Sequence, residues 1–219
     1  EIIAAICTLV KQKLPAYVGA QVNEVQILTP SKKSAVGSLR LNKIMQEFLN
    51  PPSPGKAEKV FGETTFREGD KVMQIKNNYQ LEWEKRSRYG IPSDAGSGVF
   101  NGDTGVVAEI NAFTEQLTVK FDDERYVNYD FNQLEELELA YAITVHKSQG
   151  SEYPAVVIPM YPGPRMLMNR NLLYTAVTRA RKCVCMVGNE DCFHQMAENE
   201  TEQRRYSSLD ERIIEAAAQ

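Results

Sequence analysis

The 219-residue sequence lacks the patterns that most often mark a phosphate or metal site. It has no G-x-x-x-x-G-K-[ST] loop, and its only Gly-Lys pair, Gly55-Lys56, follows prolines without the earlier glycine. Only two histidines and four cysteines are present, and no C-x-x-C spacing pairs the cysteines. No metal centre is therefore expected. We predict reduced core thiols at Cys7, Cys183, Cys185 and Cys192.

The chain also lacks a long apolar run and an excess of cations. No stretch approaches the roughly 20 apolar residues that span a bilayer, and no signal-peptide pattern opens the sequence, so we expect a cytoplasmic protein without a membrane partner. A net charge of −4 argues against a protein that coats a polyanion. Cations are nevertheless grouped, within residues 165–189 and again at Lys32, Lys33, Arg40 and Lys43. Such groups are typical of solvated faces and of phosphate-binding grooves alike.

Apolar periodicity predicts an α/β domain. A helix is expected over residues 2–14, ending before Pro15, then a strand at 25–30 and a second helix lined by Leu39, Leu41, Ile44, Met45, Phe48 and Leu49. Apolar runs return at 155–160 and 184–188, which is typical of strands buried on both faces of a parallel sheet. A helical tail capped by Ser208 and Glu211 is predicted to end the chain.

The middle of the chain has a different pattern. Short alternating strands are predicted at 71–75, 104–110, 116–121 and 125–130, separated by turn residues. A mobile loop is expected between Tyr79 and Val99, because this segment is polar and rich in glycine and serine. We therefore predict a small antiparallel β-barrel at 66–138, inserted into one α/β domain made of 1–65 and 139–219.

A first chemical motif, AITVHKSQGSEYPAVVI, runs from Ala142 to Ile158. Thr144 is placed to cap a short turn, and Gly150 lets an anion approach the main chain. His146, Lys147 and Ser148 add hydrogen-bond donors. Each of these residues alone is more often a local cap or a surface residue. Their joint placement between two buried strands favours a phosphate site.

This motif resembles motif V of superfamily 1 helicases, and HKSQGSEY is especially similar to the RecD/TraA-like DNA helicases. Pif1-type enzymes share HKSQG but continue with Thr-Leu, whereas Ser151-Glu152-Tyr153 follows in this chain. The resemblance implies that Gln149 and Gly150 face the triphosphate of ATP and that Glu152 faces its ribose. It implies DNA contacts for Thr144, His146, Lys147 and Ser148.

The second motif, NLLYTAVTRARK, spans Asn171 to Lys182. If residues 171–181 are helical, Arg179 lies at the edge of an apolar stripe and can reach across a cleft. It resembles the motif VI arginine finger, which stabilises charge on the γ-phosphate in the transition state. Arg181 is the second candidate. A solvated helix arginine is the alternative for any isolated TRAR string.

Two further segments resemble the same family. The stretch ILTPSKKSAVGSLRLNKIMQEFLNPP is similar to the start of its second motor domain, and Lys32 and Lys33 are expected to meet a phosphate of DNA and of ATP respectively. The strings FREGDKVMQIKNNY and FNGDTGVV resemble its inserted Src-homology-like barrel, whose implied role is to clamp single-stranded DNA. Stacking on bases is expected from Tyr79, Trp83 or Tyr89, and core packing from Phe100, Phe121 and Tyr126.

The resemblance implies a RecA-like, P-loop NTPase-like parallel-sheet domain with an inserted antiparallel β-barrel. The implied function is the C-terminal motor half of an ATP-dependent 5′–3′ DNA helicase, with single-stranded DNA, an N-terminal RecA-like domain and RecBCD-type or other repair proteins as partners. ATP and Mg²⁺ are the implied cofactors, the metal ligands coming from the N-terminal domain, so this chain alone is expected to be inactive. A stand-alone nucleic-acid-binding module and a part of a Pif1-like, conjugative or RNA helicase remain open.

Overall fold

A computed structural model describes residues 1–87 and 89–200 together with 213, 214 and 216; the predicted caps Ser208 and Glu211 lie outside these residues. The helices are α1 (Ile2–Thr8), α2 (Leu14–Val18), α3 (Ser38–Leu49), α4 (Arg170–Val177) and α5 (Glu190–Glu198). The strands are β1 (Val25–Thr29), β2 (Glu58–Phe61), β3 (Thr64–Arg67), β4 (Lys71–Gln74), β5 (Asn78–Arg86), β6 (Pro92–Val99), β7 (Thr104–Asn111), β8 (Gln116–Phe121), β9 (Arg125–Asp130), β10 (Leu137–Leu139), β11 (Ala142–Thr144), β12 (Tyr153–Met160) and β13 (Ala180–Gly188).

Four strands form the predicted parallel sheet, in the order β11-β1-β12-β13. Successive residues of its central strands enter opposite cores. Ile27 and Val157 belong to the core that contains α1, α2 and α3, whereas Leu28 and Val156 belong to the core that contains α4 and α5. Helices therefore cover both faces, which explains the uninterrupted apolar runs of β1 and β12.

The predicted antiparallel strands are also confirmed. Seven strands form one sheet in the order β10-β4-β7-β8-β9-β5-β6, with β10 and β6 at its edges. Its alternating inward residues include Val72, Leu117, Val119, Val127 and Tyr129, all fully buried. Only Ala140 and Tyr141 separate β10 from β11 of the parallel sheet. The antiparallel sheet thus lies between α3 and β11 in chain order.

The mobile loop predicted between Tyr79 and Val99 is wrong, because β5 and β6 form a long antiparallel hairpin. Glycines favour this pairing rather than prevent it. A Cβ at Gly96 would lie 2.6 Å from Cζ2 of Trp83, so the missing side chain makes room for the indole on the neighbouring strand. Polarity reflects the hairpin's exposure, since most of its residues face solvent.

The first helical segment does not end before Pro15. It passes through a π-helical turn, Leu9–Lys13, in which the Leu14 N–H donates to the Leu9 carbonyl, and continues to Val18 before Gly19 in the left-handed conformation at φ 67°. The wider turn accommodates a proline ring, which would otherwise crowd the carbonyl four residues earlier.

Two other packing predictions are corrected. On α3, Leu39 and Phe48 are exposed, and the polar residues Asn42 and Gln46 are buried beside Leu41 and Met45. Buried amides replace apolar side chains here because backbone groups of the neighbouring β-structure need partners. In the antiparallel sheet Phe100 is 42% exposed and meets Tyr79 edge to face at 5.7 Å, Tyr126 is half-buried, and only Phe121 packs as predicted.

The cysteines divide between core and edge. All four are free thiols, and Cys7 and Cys192 are buried as predicted. Cys183 and Cys185 are only half-buried because β13 is the outer strand of its sheet. Burial raises the pKa of the Cys7, Cys185 and Cys192 thiols, which keeps them protonated. Among the residues with described structure, no helix has the length and apolar character needed to cross a membrane.

A buried polar cluster joins α3 to the antiparallel sheet. The Asp70 carboxylate, fully buried, accepts hydrogen bonds from Gln46 Nε2 at 2.5 Å, Asn50 Nδ2 at 2.7 Å, the Arg67 amide at 2.7 Å and Tyr141 Oη at 2.9 Å. Burial raises the pKa of Asp70 although all four donors oppose the shift. These bonds fix β4 and the start of β11 relative to α3.

Candidate nucleotide and nucleic-acid site

The first motif forms a compact loop after β11. A 3-10 turn, Val145–Ser148, follows the strand, and the Ser151 amide then donates to the Ser148 carbonyl at 3.1 Å. Gly150 has φ 86°, a left-handed conformation that favours glycine, and a Cβ there would meet no atom within 4 Å. Backbone geometry, together with the space in front of it, explains the glycine at this position.

Two residues of this loop, Ser148 and Thr144, are arranged differently from the prediction. Ser148 is fully buried and its hydroxyl donates to the Val145 carbonyl at 2.7 Å, so this side chain closes the turn and gives no surface to DNA. Thr144 occupies the N-cap position of the turn, but its side chain makes no capping hydrogen bond. His146, Gln149 and Gly150 are exposed, as contact with a ligand requires.

Two basic residues of the site, Lys32 and Lys147, form ion pairs with the same carboxylate. Lys147 lies 2.7 Å from Oε2 of Glu138, and Lys32, from the loop between β1 and α3, lies 2.7 Å from Oε1 of the same carboxylate. Partial burial opposes ionisation of Glu138, but the two ammonium groups outweigh it and lower its pKa. Lys33 is exposed at the neighbouring position.

Apart from Lys33, which lies beside Lys32, the predicted DNA contacts and nucleotide contacts lie towards opposite ends of the parallel strands. Thr29 pairs with Thr144 at the carboxyl ends of β1 and β11, so the loops bearing Lys32 and His146 leave the sheet from that edge. Tyr153 pairs with Ala180 at the amino ends of β12 and β13. The chain crosses between these edges in the eight residues from Val145 to Glu152, so one short loop connects both.

Arg179 lies beyond α4 rather than on it. The helix ends at Val177, Thr178 is its C-cap, and Arg179 directly precedes β13. The Tyr153 amide of β12 donates to the Arg179 carbonyl at 2.8 Å, which joins this residue to the sheet. Its Nη1 donates to the Ser151 carbonyl at 3.2 Å. Its Nε is buried and has no hydrogen-bond partner in the described part of the chain. The start of β13 and the turn at Ser151 therefore hold the guanidinium in place.

Arg181 and Glu152 meet each other. The Arg181 Nε lies 2.9 Å from Oε2 of Glu152, and both side chains are more than half exposed. They line a cleft of 580 Å³ whose far wall belongs to the antiparallel sheet and includes Lys120 and Asp122. The predicted nucleotide contacts are thus preorganised as an ion pair that remains accessible to a ligand.

Sequence reasoning missed Glu138. The only available signal was its position, as the last acid of the run Glu135–Glu138 before the first motif. Metal ligands are not assembled nearby, since the described residues contain no group of three or more histidine, cysteine, aspartate or glutamate side chains suited to a metal ion.

Comparison with protein families gives two adjacent matches. Residues 41–121 match the ATP-dependent RecD-like DNA helicase SH3 domain, and residues 139–187 match the UvrD-like helicase C-terminal domain. Both motifs described above, residues 142–158 and 171–182, lie entirely within the second match.

Curated relatives agree with these matches. The chain is 35% identical over 189 residues to the ATP-dependent RecD2 DNA helicase of Deinococcus radiodurans, covering 86% of this chain and 23% of that protein. It is 40% identical over 98 residues to the RecBCD enzyme subunit RecD of Mycobacterium tuberculosis, covering 45% of this chain and 17% of the relative. The chain thus spans less than a quarter of the length of these relatives.

Solved structures support the fold. The crystal structure of Pif1 helicase from Bacteroides in complex with ADP-AlF3 and single-stranded DNA superposes with a TM-score of 0.52 at 17% identity, covering 99% of this chain and 54% of that one. This likeness shows the fold alone, a RecA-like parallel sheet beside an antiparallel sheet. The two family matches, which together cover more than half of the chain, and the RecD relatives show that the chain belongs to the RecD-like helicases.

Proposed function

We propose that this chain is the C-terminal motor half of an ATP-dependent 5′–3′ DNA helicase. It would supply the arginine finger, Arg179, and part of the track for single-stranded DNA. The first motor domain, with its phosphate loop and the ligands of Mg²⁺, would come from outside these 219 residues. Residues 66–138 would form the inserted barrel that clamps the strand.

The observation that carries this proposal is that the proposed DNA contacts and most of the proposed nucleotide contacts lie at opposite edges of the parallel sheet. His146 and Lys32 leave from the carboxyl ends of the strands, whereas Glu152, Arg179 and Arg181 lie at the amino ends of β12 and β13. A motor must couple a nucleotide site to a nucleic-acid site. A loop of eight residues that connects the two edges is a short mechanical link for such coupling.

Arg179 fits the role of a finger through its bonding. Its Nη1 is anchored to the Ser151 carbonyl and its Nη2 has one long bond to the Thr178 hydroxyl at 3.4 Å, so the guanidinium is positioned and still has N–H donors to offer a ligand. Bound ATP would supply a γ-phosphate whose charge increases in the transition state. A preorganised arginine stabilises that charge at little cost in reorganisation.

The nucleotide-binding residues would act beside it. Glu152, held by Arg181, would accept a hydrogen bond from the ribose, and Gln149 and Gly150 would face the phosphates from the exposed part of the loop. Lys33, exposed on the β1–α3 loop at the carboxyl edge of the sheet, is a proposed phosphate contact that lies apart from these residues. The ligands of Mg²⁺ would come from the first motor domain.

On the DNA side, His146, Lys147, Lys32 and Thr144 would contact the strand, and the hairpin β5–β6 would add aromatic surface. Tyr79 is 68% and Tyr89 87% exposed, which leaves both rings available for stacking on bases. Trp83 is less suited than predicted, because its ring packs against Gly96.

Competition binding tests the nucleic-acid part of this proposal. Labelled single-stranded DNA bound to the chain at a stated salt concentration would be displaced with unlabelled single-stranded DNA, RNA of the same sequence and duplex DNA. Single-stranded DNA should compete best. Equal competition by RNA would favour an RNA helicase, and stronger competition by duplex would contradict the assigned track.

ATP turnover tests the motor part. The chain alone should hydrolyse ATP no faster than background, and a protein that joins it to a phosphate-loop domain should hydrolyse ATP in a manner stimulated by single-stranded DNA. Robust turnover by the chain alone would contradict the division of the active site. DNA binding without turnover in the joined protein would favour a stand-alone binding module.

A further inference from the structure

One carboxylate holds two lysines that come from different loops. Glu138 lies on β10, Lys32 follows β1 and Lys147 follows β11, so three separate segments meet at this point. Each Glu138 oxygen lies 2.7 Å from one ammonium nitrogen. The side chains are between 31% and 47% exposed, so a ligand can reach the cluster.

The arrangement resembles what a phosphate would require. Two oxygens of one anionic group, separated by about the same distance in a carboxylate and in a phosphodiester, can each accept a charge-assisted hydrogen bond from one lysine. Glu138 is held near both cations by a strand, whereas the two lysines have long, flexible stems. A lysine pair spaced by a carboxylate is therefore already spaced for a phosphate.

We propose that Glu138 occupies a phosphate subsite of the nucleic-acid track, and that a backbone phosphate of single-stranded DNA replaces its carboxylate between Lys32 and Lys147. This inference rests on the proposed function, because it assumes that this edge of the sheet binds DNA. In the free protein the carboxylate neutralises both lysines. When a strand binds, the lysines exchange one anion for another, which weakens each phosphate contact and allows the strand to move on.

The sharpest test is Glu138→Gln, which removes the competing charge and keeps the side-chain shape. Binding of a fluorescein-labelled 12-nucleotide oligo(dT) to the full chain would be measured between about 50 and 200 mM NaCl. Phosphate contacts make affinity depend strongly on salt in this range. We expect roughly fivefold tighter binding at the lower salt and a slope of log affinity against log salt that is steeper by about 0.7, the value of one further phosphate contact on a single strand.

Glu200→Gln is the matched control. It removes one carboxylate and releases one cation, Arg170, from a 2.5 Å ion pair, but it lies beyond α5 and outside the proposed clamp. Its effect should be less than twofold. A gain as large as that of Glu138→Gln would show that net charge alone strengthens binding and would overturn the proposal.

Removal of the lysines gives a second, independent readout. Lys32→Ala and Lys147→Ala should each weaken binding by less than about twofold in the wild-type background, and by about fivefold when Glu138 is already Gln, because only then is the lysine free of its internal anion. Equal losses in both backgrounds would overturn the proposal.

The outcomes separate the inference from the proposed function. If the wild-type chain binds the oligonucleotide and Glu138→Gln binds it equally or more weakly, the carboxylate does not occupy a phosphate subsite, while the proposed function stands. If neither protein binds at any salt concentration, the proposed DNA track fails, and this inference fails with it.

Discussion

The side-chain amide of Asn42 forms a closed pair of hydrogen bonds with the backbone of Ala142. Its Nδ2 donates to the Ala142 carbonyl at 3.0 Å, and the Ala142 amide donates to its Oδ1 at 2.7 Å. Because β11 is the outer strand of the parallel sheet, Asn42 takes the place of a neighbouring strand at this edge. A further bond from Nδ2 to the Leu139 carbonyl, at 2.7 Å, fixes the junction that leads into the first motif.

Asn42→Ala should therefore destabilise the protein by about 2 to 4 kcal/mol, since it leaves a buried amide and two carbonyls without partners. Lys43→Ala, an exposed substitution at the next position of α3, should change the free energy of unfolding by less than about 0.5 kcal/mol. Urea denaturation of both variants would measure the difference. Equal stability of the two would contradict the structural role of Asn42.

Gly96→Ala should also be destabilising, by about 1 to 3 kcal/mol, because the new Cβ would lie 2.6 Å from the Trp83 ring. Tryptophan fluorescence would report the displaced ring, and thermal unfolding the loss of stability. Gly163→Ala is a suitable control, since its Cβ would meet Met168 at an ordinary 3.6 Å. An unchanged emission spectrum and melting temperature for Gly96→Ala would show that the indole does not pack against β6.

Lys71 is a buried cation between the two sheets. It is 6% exposed, and its Nζ donates to Oε1 of Gln26 on β1 at 2.8 Å. Burial lowers its pKa to about 8 from an ordinary 10.5, an effect that Asp122 and Glu24 only partly oppose. Below pH 8 both the folded and unfolded states carry the charge. Between pH 8 and 10.5 only the unfolded state does, so raising the pH favours the folded state.

The free energy of unfolding of the wild type should accordingly rise, relative to Lys71→Met, by about 1 to 2 kcal/mol between pH 8 and pH 9.5. The comparison with Lys71→Met removes the contributions of other groups that titrate in this range. A difference between wild type and Lys71→Met that stays constant, or falls, across this range would contradict a depressed pKa.

The sequence predicted those strands of the two sheets that have a clear apolar pattern. Apolar runs such as β12 and alternation such as β8 follow directly from burial on two faces or on one. The hairpin β5–β6 could not be predicted in this way, because its glycines and serines also occur in loops. Its pairing depends on Gly96 leaving room for Trp83 on the neighbouring strand, a fit that the sequence pattern does not reveal.

The site was predicted in its residues more than in its geometry. The two motifs identified the loop at His146 and the arginine at 179, since both are local sequence patterns. The end of α4 at Val177 was missed because the apolar stripe continues to Ala180, which belongs to β13. Glu138 was missed because its role depends on two lysines, 106 and 9 residues away in sequence, that only the folded chain brings together.

The most direct test of the proposed motor role is ATP turnover by Arg179→Ala in a protein that joins this chain to a phosphate-loop domain. Turnover at saturating single-stranded DNA should fall by about 10³- to 10⁵-fold while nucleotide affinity stays near the wild-type value, since a finger acts on the transition state. Arg165→Ala, an exposed arginine before α4, should leave turnover unchanged. Wild-type turnover by Arg179→Ala would contradict the assignment of this residue as the arginine finger.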